Sequence, residues 1–291
     1  MFVEQRTAGR RPTVFHTPDT LDEAIALLEQ HRGDVRVAGG ATYVMLMASH
    51  GEVQPSHLVS LHRITGLDAL EPETVGALTT LRRLERWCLT GPERALTMGA
   101  AVVAGPLVRS LGTIGGNVGF SDGDLVAPLI ALDAHVELHD GSRLPVAEFV
   151  EQRPTAIITS LHYDMRAADG WSAATVKLAH RGMDWPIVTA AVALRRDDAG
   201  TITAARAAAQ ALAPTPVRLP GVEAVLVGSQ GEPEAIAYAA EATTHRIEIR
   251  EDAEATAPHR KRVAPAAVSR ALEIALRAGP DGTVDVEEAW R

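Results

Sequence analysis

The chain has 291 residues, 46% of them apolar and 22% charged, with a net charge of −9. That length and balance support two domains around sizeable cores, while the acidic charge speaks against nucleic acid and anionic membrane surfaces, which are bound through Lys and Arg. Cys88 is the only cysteine, so an internal disulfide, a Cys-rich zinc site and an iron–sulfur cluster held by this chain alone are excluded. Met1 to Arg11 is polar and basic without an apolar segment, so no signal peptide is expected. No apolar run reaches the ~20 residues that span a bilayer, and the cytoplasm is the expected location.

In chain order, Thr20 and Glu23 form a capping-box pattern after Pro18-Asp19. Leu21, Ala24, Ile25 and Leu28 then recur at helical spacing, which predicts an amphipathic helix over 20–31 that Gly33 ends. Val35 to Ala38 is a short strand running into Gly39-Gly40, Ala41 to Ala48 a second helix, and His57 to Leu61 a further strand. Residues 13–61 thus read β-α-β-α-β, an α/β lobe with parallel strands. A second lobe follows, with a strand over 74–78 and a helix over 80–89. That helix makes Cys88 a packed, inert thiol or, alternatively, a reactive one. A small-residue helical stretch over 95–111 is interrupted at Gly105-Pro106, and an apolar helix runs over 124–131. Strands are expected over 134–139 and 157–163.

Residues 1–165 read as one nucleotide-binding domain with lobes of about 1–61 and 62–165, and Ala167 to Gly170 as a linker. The rest, 170–291, reads as an α+β domain. Three antiparallel strands over 173–179, 187–195 and 202–209 are expected there, with a hairpin turn at Asp197-Asp198-Ala199-Gly200. Helices over 217–227, 233–242 and 260–277 cover them. The fold class is therefore α+β, with an α/β first lobe.

Two glycine pairs carry the chemistry: Ala38-Gly39-Gly40-Ala41-Thr42 and Thr113-Ile114-Gly115-Gly116-Asn117. A pyrophosphate needs many short hydrogen bonds, which glycine-turn amides and a following helix N-terminus supply. Gly39-Gly40 suits either such a loop or a plain strand-to-helix turn. In the second loop Thr113 adds a hydroxyl, and Asn117 an amide that tolerates left-handed φ. Asp124 suits either a carboxylate that accepts from ribityl hydroxyls or a helix N-cap.

These residues resemble the FAD-binding medium subunit of molybdenum hydroxylases, the family of the flavin parts of xanthine dehydrogenase and carbon monoxide dehydrogenase. Further matches are Phe15-His16-Thr17-Pro18, the 75–80 segment Val75-Gly76-Ala77-Leu78-Thr79-Thr80, and the segment from Lys177 to Trp185. The resemblance spans roughly 13–280. It implies two pyrophosphate loops, residues 38–42 and 113–117, with Thr113 and Asn117 as side-chain ligands and Asp124 at the ribityl carboxylate position. It also implies Lys177 near the flavin ring, Trp185 covering the ring, Ile158 as a backbone contact and Val103 as an apolar one. Lys177 suits equally a solvated strand lysine, and Trp185 an inter-domain core aromatic.

The sequence departs from the family at three places. Ala41 stands where a polar residue is usual in the family, and losing one side-chain phosphate bond costs ~1 kcal/mol. The 118–123 segment, Val118 to Gly123, is about two residues short and carries Phe120. Ala156-Ile157-Ile158-Thr159 lacks the usual preceding acidic residue.

The function implied is an FAD-dependent oxidoreductase subunit. Electrons from the two [2Fe–2S] clusters of a small partner subunit, fed by a molybdopterin centre on a large partner subunit, would pass through FAD to an acceptor. The altered 118–123 loop, and a tail after residue 280 with no evident docking element, suit an alternative. That alternative is a stand-alone flavoprotein of the same fold, catalysing an oxidation or cyclisation of a small molecule. His16, His31, His50, His57 and His62 do not pair at metal-ligand spacing on one helix, so they are expected as surface or capping residues and no metal site is expected.

Overall fold

The computed structural model describes residues 12–88 and 90–277. The expectations about the first eleven residues and about the tail beyond 280 lie outside them. Three β-sheets organise the described chain.

The first comprises β1 (Val14–His16), α1 (Leu21–Gln30), β2 (Val35–Ala38), α2 (Thr42–His50) and β3 (His57–Ser60). Its strand order is β1-β3-β2 and both pairings are parallel, as the alternation predicts. Thr20 caps α1: its hydroxyl accepts from the Glu23 amide at 3.2 Å, while the Glu23 carboxylate accepts from the Asp19 amide at 2.9 Å. Ala24 and Leu28 of α1 bury against Val35, Val59 and Leu61, which gives this lobe a small core of its own.

Next come β4 (Leu70–Glu71), β5 (Thr74–Gly76), α3 (Leu81–Leu84), α4 (Arg94–Ala101), α5 (Pro106–Leu111), α6 (Ile114–Gly119), α7 (Val126–Ala131), β6 (His135–Leu138), β7 (Arg143–Pro145), α8 (Val146–Gln152) and β8 (Ile158–His162). The five strands form an antiparallel sheet in the order β4-β5-β8-β6-β7. The strand expected over 74–78 ends at Gly76, where the chain turns and the Thr79 amide donates back to the Gly76 carbonyl at 2.9 Å. The helix expected over 80–89 ends at Leu84 and gives way to turns, so Cys88 lies beyond it. Gly105-Pro106 separates α4 from α5 as expected, with Pro106 opening α5. Every residue of α4 from Arg94 to Ala100 is buried. Its small side chains let it wedge between α7 and the third sheet, where Thr175 donates its hydroxyl to the Ala95 carbonyl at 2.9 Å.

The third part holds β9 (Trp171–Leu178), β10 (Val188–Arg196), β11 (Ile202–Gln210), β12 (Val217–Arg218), α9 (Pro220–Leu226), α10 (Pro233–Ala242) and α11 (Ala257–Arg277). Its antiparallel sheet runs β12-β11-β10-β9, so it has four strands rather than the three expected. The extra strand replaces the start of the helix expected over 217–227. That helix begins at Pro220, because a proline lacks only an N–H that the first helical turn leaves unused. The turn at 197–200 forms as expected, with Asp197 Oδ1 accepting from the Ala199 and Thr201 amides. Val188 to Leu194 are buried without interruption, since α11 covers one face of the sheet while α4 and α7 cover the other. The alanines of these strands let helices close on both sides.

Candidate functional site

At the end of β2 the chain passes through Gly39-Gly40, turns at Ala41 with φ of 56°, and enters α2. A Cβ on Gly40 would lie 1.7 Å from the Leu111 carbonyl oxygen, and one on Gly39 would lie 2.4 Å from Thr113 Oγ1. The first glycine pair therefore abuts the segment that opens the second, and close approach of backbone explains both glycines. Ala41 provides no side-chain cap. Among the described residues, the amides of residues 39–44 find no acceptor. A run of unused N–H groups, reinforced by the positive end of α2, thus lines one wall of a cavity.

The second pair is built differently. It lies inside the first turns of α6 and not in a loop before a helix. Thr113 caps that helix, its hydroxyl accepting from the Gly116 amide at 3.2 Å. The Ile114, Gly115 and Asn117 amides donate to the carbonyls of Thr79, Ala77 and Thr113 at 3.0, 2.9 and 2.9 Å. These amides are already engaged, unlike those at 39–44. Gly115 is required by packing, because its Cβ would come within 2.7 Å of the Ala77 side chain. Asn117 Oδ1 accepts from the Leu125 amide at 2.9 Å, and Gly123 lies so close that a Cβ there would meet that oxygen at 2.2 Å. Asn117 therefore fastens the 118–125 loop.

The cavity has a volume of about 690 Å³ and draws its walls from all three parts of the chain. Ala38, Gly39, Gly40, Ala41, Thr42, Val103, Thr113, Gly115, Gly116, Asn117, Asp124, Ile158, Lys177 and Trp185 all line it. Ile114 does not: its side chain is fully buried in the core.

Asp124 is not a helix cap, since Leu125 holds the N-cap position of α7. Its carboxylate accepts from Lys177 Nζ at 3.0 Å and from Thr189 Oγ1 at 3.3 Å. Lys177 Nζ also donates to the Val102 carbonyl at 3.0 Å. Their side chains are only 6% and 3% exposed, so Lys177 is no solvated strand lysine. Burial pushes the Asp124 carboxyl above the usual carboxylate range, against the charge and hydrogen bond of Lys177 and the hydrogen bond of Thr189.

Trp185 is 43% exposed, so it is not a core aromatic. It stands at the cavity beside Phe120, with ring centroids 5.7 Å apart, and Phe120 lies 3.7 Å from Tyr43. Each ring comes from a different part of the chain. Tyr43 lines the cavity but carries no motif. The sequence shows only an aromatic three residues after Gly39-Gly40, and the structure adds that α2 buries none of its residues. Burial, then the charges of Glu52 and Asp122, raises its phenol above the ordinary value.

The 118–123 loop is held from outside. Ser121 takes φ of 69°, and Asp122 Oδ2 pairs with Arg250 at 2.6 Å. Gln210 Nε2 donates to the Asp122 carbonyl, also at 2.6 Å. Arg250 and Gln210 are far from this loop in sequence, and neither was expected at the site. Of the histidines expected as surface or capping residues, His31 is the C-cap of α1, and it converges with His16 and His57 in the first lobe although the three share no helix.

Comparison with known proteins agrees with this architecture. Residues 9–162 match the family described as the FAD binding domain in molybdopterin dehydrogenase. Residues 174–275 match the carbon monoxide dehydrogenase flavoprotein C-terminal domain. The chain is 30% identical over 276 residues to the carbon monoxide dehydrogenase medium chain of Hydrogenophaga pseudoflava, covering 90% of this chain and 96% of that one. It is 30% identical over 237 residues to the nicotinate dehydrogenase FAD-subunit of Eubacterium barkeri, covering 74% and 79%. A solved structure of carbon monoxide dehydrogenase from Hydrogenophaga pseudoflava superposes with a TM-score of 0.82 at 30% identity, over 91% of this chain and 98% of that one. No helix among the described residues is long and apolar enough to cross a membrane. With both domain models matched in order and the fold shared along nine-tenths of its length, the chain belongs to the family of FAD-binding subunits of molybdopterin dehydrogenases.

Proposed function

We propose that FAD lies in the 690 Å³ cavity with its pyrophosphate against residues 38–42 and 113–117, and that the chain relays electrons within a molybdenum hydroxylase. The observation that carries this reading is the run of unpartnered amides over 39–44 on the cavity wall. An anion answers such a run better than water does, because each N–H gains a charge-assisted bond. Thr42 adds a hydroxyl. The second loop contributes chiefly shape, since the amides from Ile114 to Asn117 are already engaged; Asn117 keeps its side-chain N–H groups for a ligand. Asp124 is a buried acceptor for ribityl hydroxyls, with Lys177 holding its charge. Val103 and Ile158 supply apolar wall, and Tyr43, Phe120 and Trp185 flank the mouth where a flavin ring reaches solvent or a partner.

When bound, FAD supplies the redox chemistry, taking electrons from the [2Fe–2S] clusters of a small partner subunit and giving them to an acceptor such as NAD⁺, oxygen or a quinone. This chain binds, orients and shields. The large partner carries the molybdopterin centre and the substrate chemistry. The division into residues 1–165 and 170–291 is part of this reading, the first part for the phosphates and the second for Lys177 and Trp185. So is a cytoplasmic location, a reducing milieu that suits the unpaired thiol of Cys88. The 118–123 loop, which suited a stand-alone enzyme, acts as a strut between parts of the chain and does not favour that alternative.

Native purification tests the proposal. FAD, molybdenum and iron should co-elute with this chain in fixed ratio. A flavoprotein that elutes without either metal defeats the relay. A colourless chain that takes up no added FAD defeats the site.

A further inference from the structure

Away from the cavity, three imidazoles meet in the first lobe. His16 is the last residue of β1, His57 the first of β3, and His31 follows α1 as its C-cap. In the parallel register Val14 stands beside His57 and His16 beside Val59, so His16 and His57 share one face of the sheet. The end of α1 brings His31 onto them. His16 Nε2 and His57 Nδ1 are 2.9 Å apart. The His31 and His57 rings stack with centroids 3.5 Å apart, and His16 lies 5.4 Å from His31. One nitrogen from each ring falls within 4.8 Å of the others, and all three side chains are half-buried.

We propose that His16, His31 and His57 form a binding site for one zinc-type divalent transition-metal ion, which staples the first lobe together. Three features carry the proposal. Neutral imidazole is the ligand that zinc, nickel and copper prefer among nitrogen donors. Three ligands from three separate elements leave a fourth position for water. The Asp34 carboxylate accepts from the amide of Ser56 at 3.0 Å, beside His57, and its charge acts on His31. The Asp34 backbone also joins two of the three, its amide donating to the His31 carbonyl and its carbonyl accepting from the His57 amide, both at 3.1 Å, which fixes the spacing of those two histidines.

Nitrogens around a tetrahedral zinc stand about 3.4 Å apart, from bonds of about 2.1 Å. Binding therefore needs the rings to move. The proton held between His16 and His57 moves to the far nitrogen of its own ring, freeing both facing lone pairs. The His31 ring turns out of its stack so that its lone pair joins them. Nothing in this binding step needs the flavin cavity, so it stands or falls apart from the FAD reading.

The full chain, stripped with a chelator and titrated with Zn²⁺ by calorimetry, tests it. One equivalent should bind, at least tenfold more weakly in His31→Ala and in His57→Ala, and unchanged in His62→Ala. On the wild-type chain, Zn²⁺ should also shield His16, His31 and His57 from diethylpyrocarbonate, read by peptide mass spectrometry, so that misfolding of a variant does not decide the matter. No binding by the wild-type chain, binding unaltered in His31→Ala, or three imidazoles as reactive with zinc as without it would overturn the site.

Discussion

Gly40 meets the Leu111 carbonyl with no room for a methyl group, since its Cβ would sit 1.7 Å from that oxygen. The obstacle is backbone, which a rotamer change cannot move. Gly40→Ala is expected to cost about 3 kcal/mol, at the upper end for overpacking, read as a lower urea midpoint in flavin-free protein. Gly119, at the end of α6, has nothing within 4 Å of its would-be Cβ. Gly119→Ala in the same measurement should be neutral or gain about 0.5 kcal/mol by restricting the unfolded chain. If both variants behave alike, the packing account of the first glycine pair fails. Glycines at equal prominence in the sequence thus differ in what the fold asks of them.

Among elements, the α3–α5 joint sets where Leu111 stands. Glu85, just past α3, accepts from Arg109 of α5 and from Arg82 of α3, both at 3.0 Å. Arg109 also donates to the Val103 and Ala104 carbonyls at 3.1 and 2.7 Å, closing the link from α4. Burial pushes the Glu85 carboxyl up, but the hydrogen bonds and charges of Arg109 and Arg82 outweigh it and hold the group below its ordinary value. A carboxylate depressed in the folded state stabilises fully above its unfolded value and loses that stabilisation as pH falls through the folded one. Melting temperature should therefore fall on acidification below the ordinary carboxylate range, and less steeply in Glu85→Gln. Parallel acid profiles for the two proteins would remove Glu85 from the account.

Much at this scale was legible in the sequence. Thr20-Glu23, the alternation of Val35 to Ala38 and the apolar run from Val188 carry period and caps, so α1, β2 and β10 stand where expected. β4, β7 and β12 have two or three residues, too few to show a period. In α6, three glycines argue against a helix on propensity alone. The Thr113 cap and the tight packing on Ala77 override them. Residues 38–42, Asp124, Lys177 and Trp185 were legible as cavity residues through their family pattern. Tyr43, which lines the cavity, and Gln210 and Arg250, which hold the 118–123 loop from outside, were not, because each matters only through a partner far away in the chain. The three histidines escaped for the same reason: spacing along one helix cannot detect ligands from three elements.

Across the whole molecule the cores divide unevenly. One buried cluster runs from Val75 through α7 to Ala191, Ala193 and Ala208, joining the second and third sheets. The first lobe keeps its own cluster, and beyond residue 61 that cluster takes in only Ile64, Leu67, Leu78 and Ile157. Segments with few shared contacts open at lower free energy. In hydrogen exchange of flavin-free protein, residues 14–60 should lose protection well before α7, β10 and β11. FAD should then slow exchange at 39–44 most, since those amides find no acceptor among the described residues. Uniform protection across both regions, or no FAD effect at 39–44, would contradict this picture.

The rings of Tyr43, Phe120 and Trp185 stand about 140 residues apart from first to last along the chain. During synthesis the first two emerge long before the third. A nascent chain that has folded its first two lobes therefore has the wall of free amides but no finished rim. Ligand captured at that stage would escape from an open edge. The third ring reaches the cavity only once β9 has paired with β10 and brought residue 185 round, so on the proposed FAD reading cofactor loading falls late in the life of the chain.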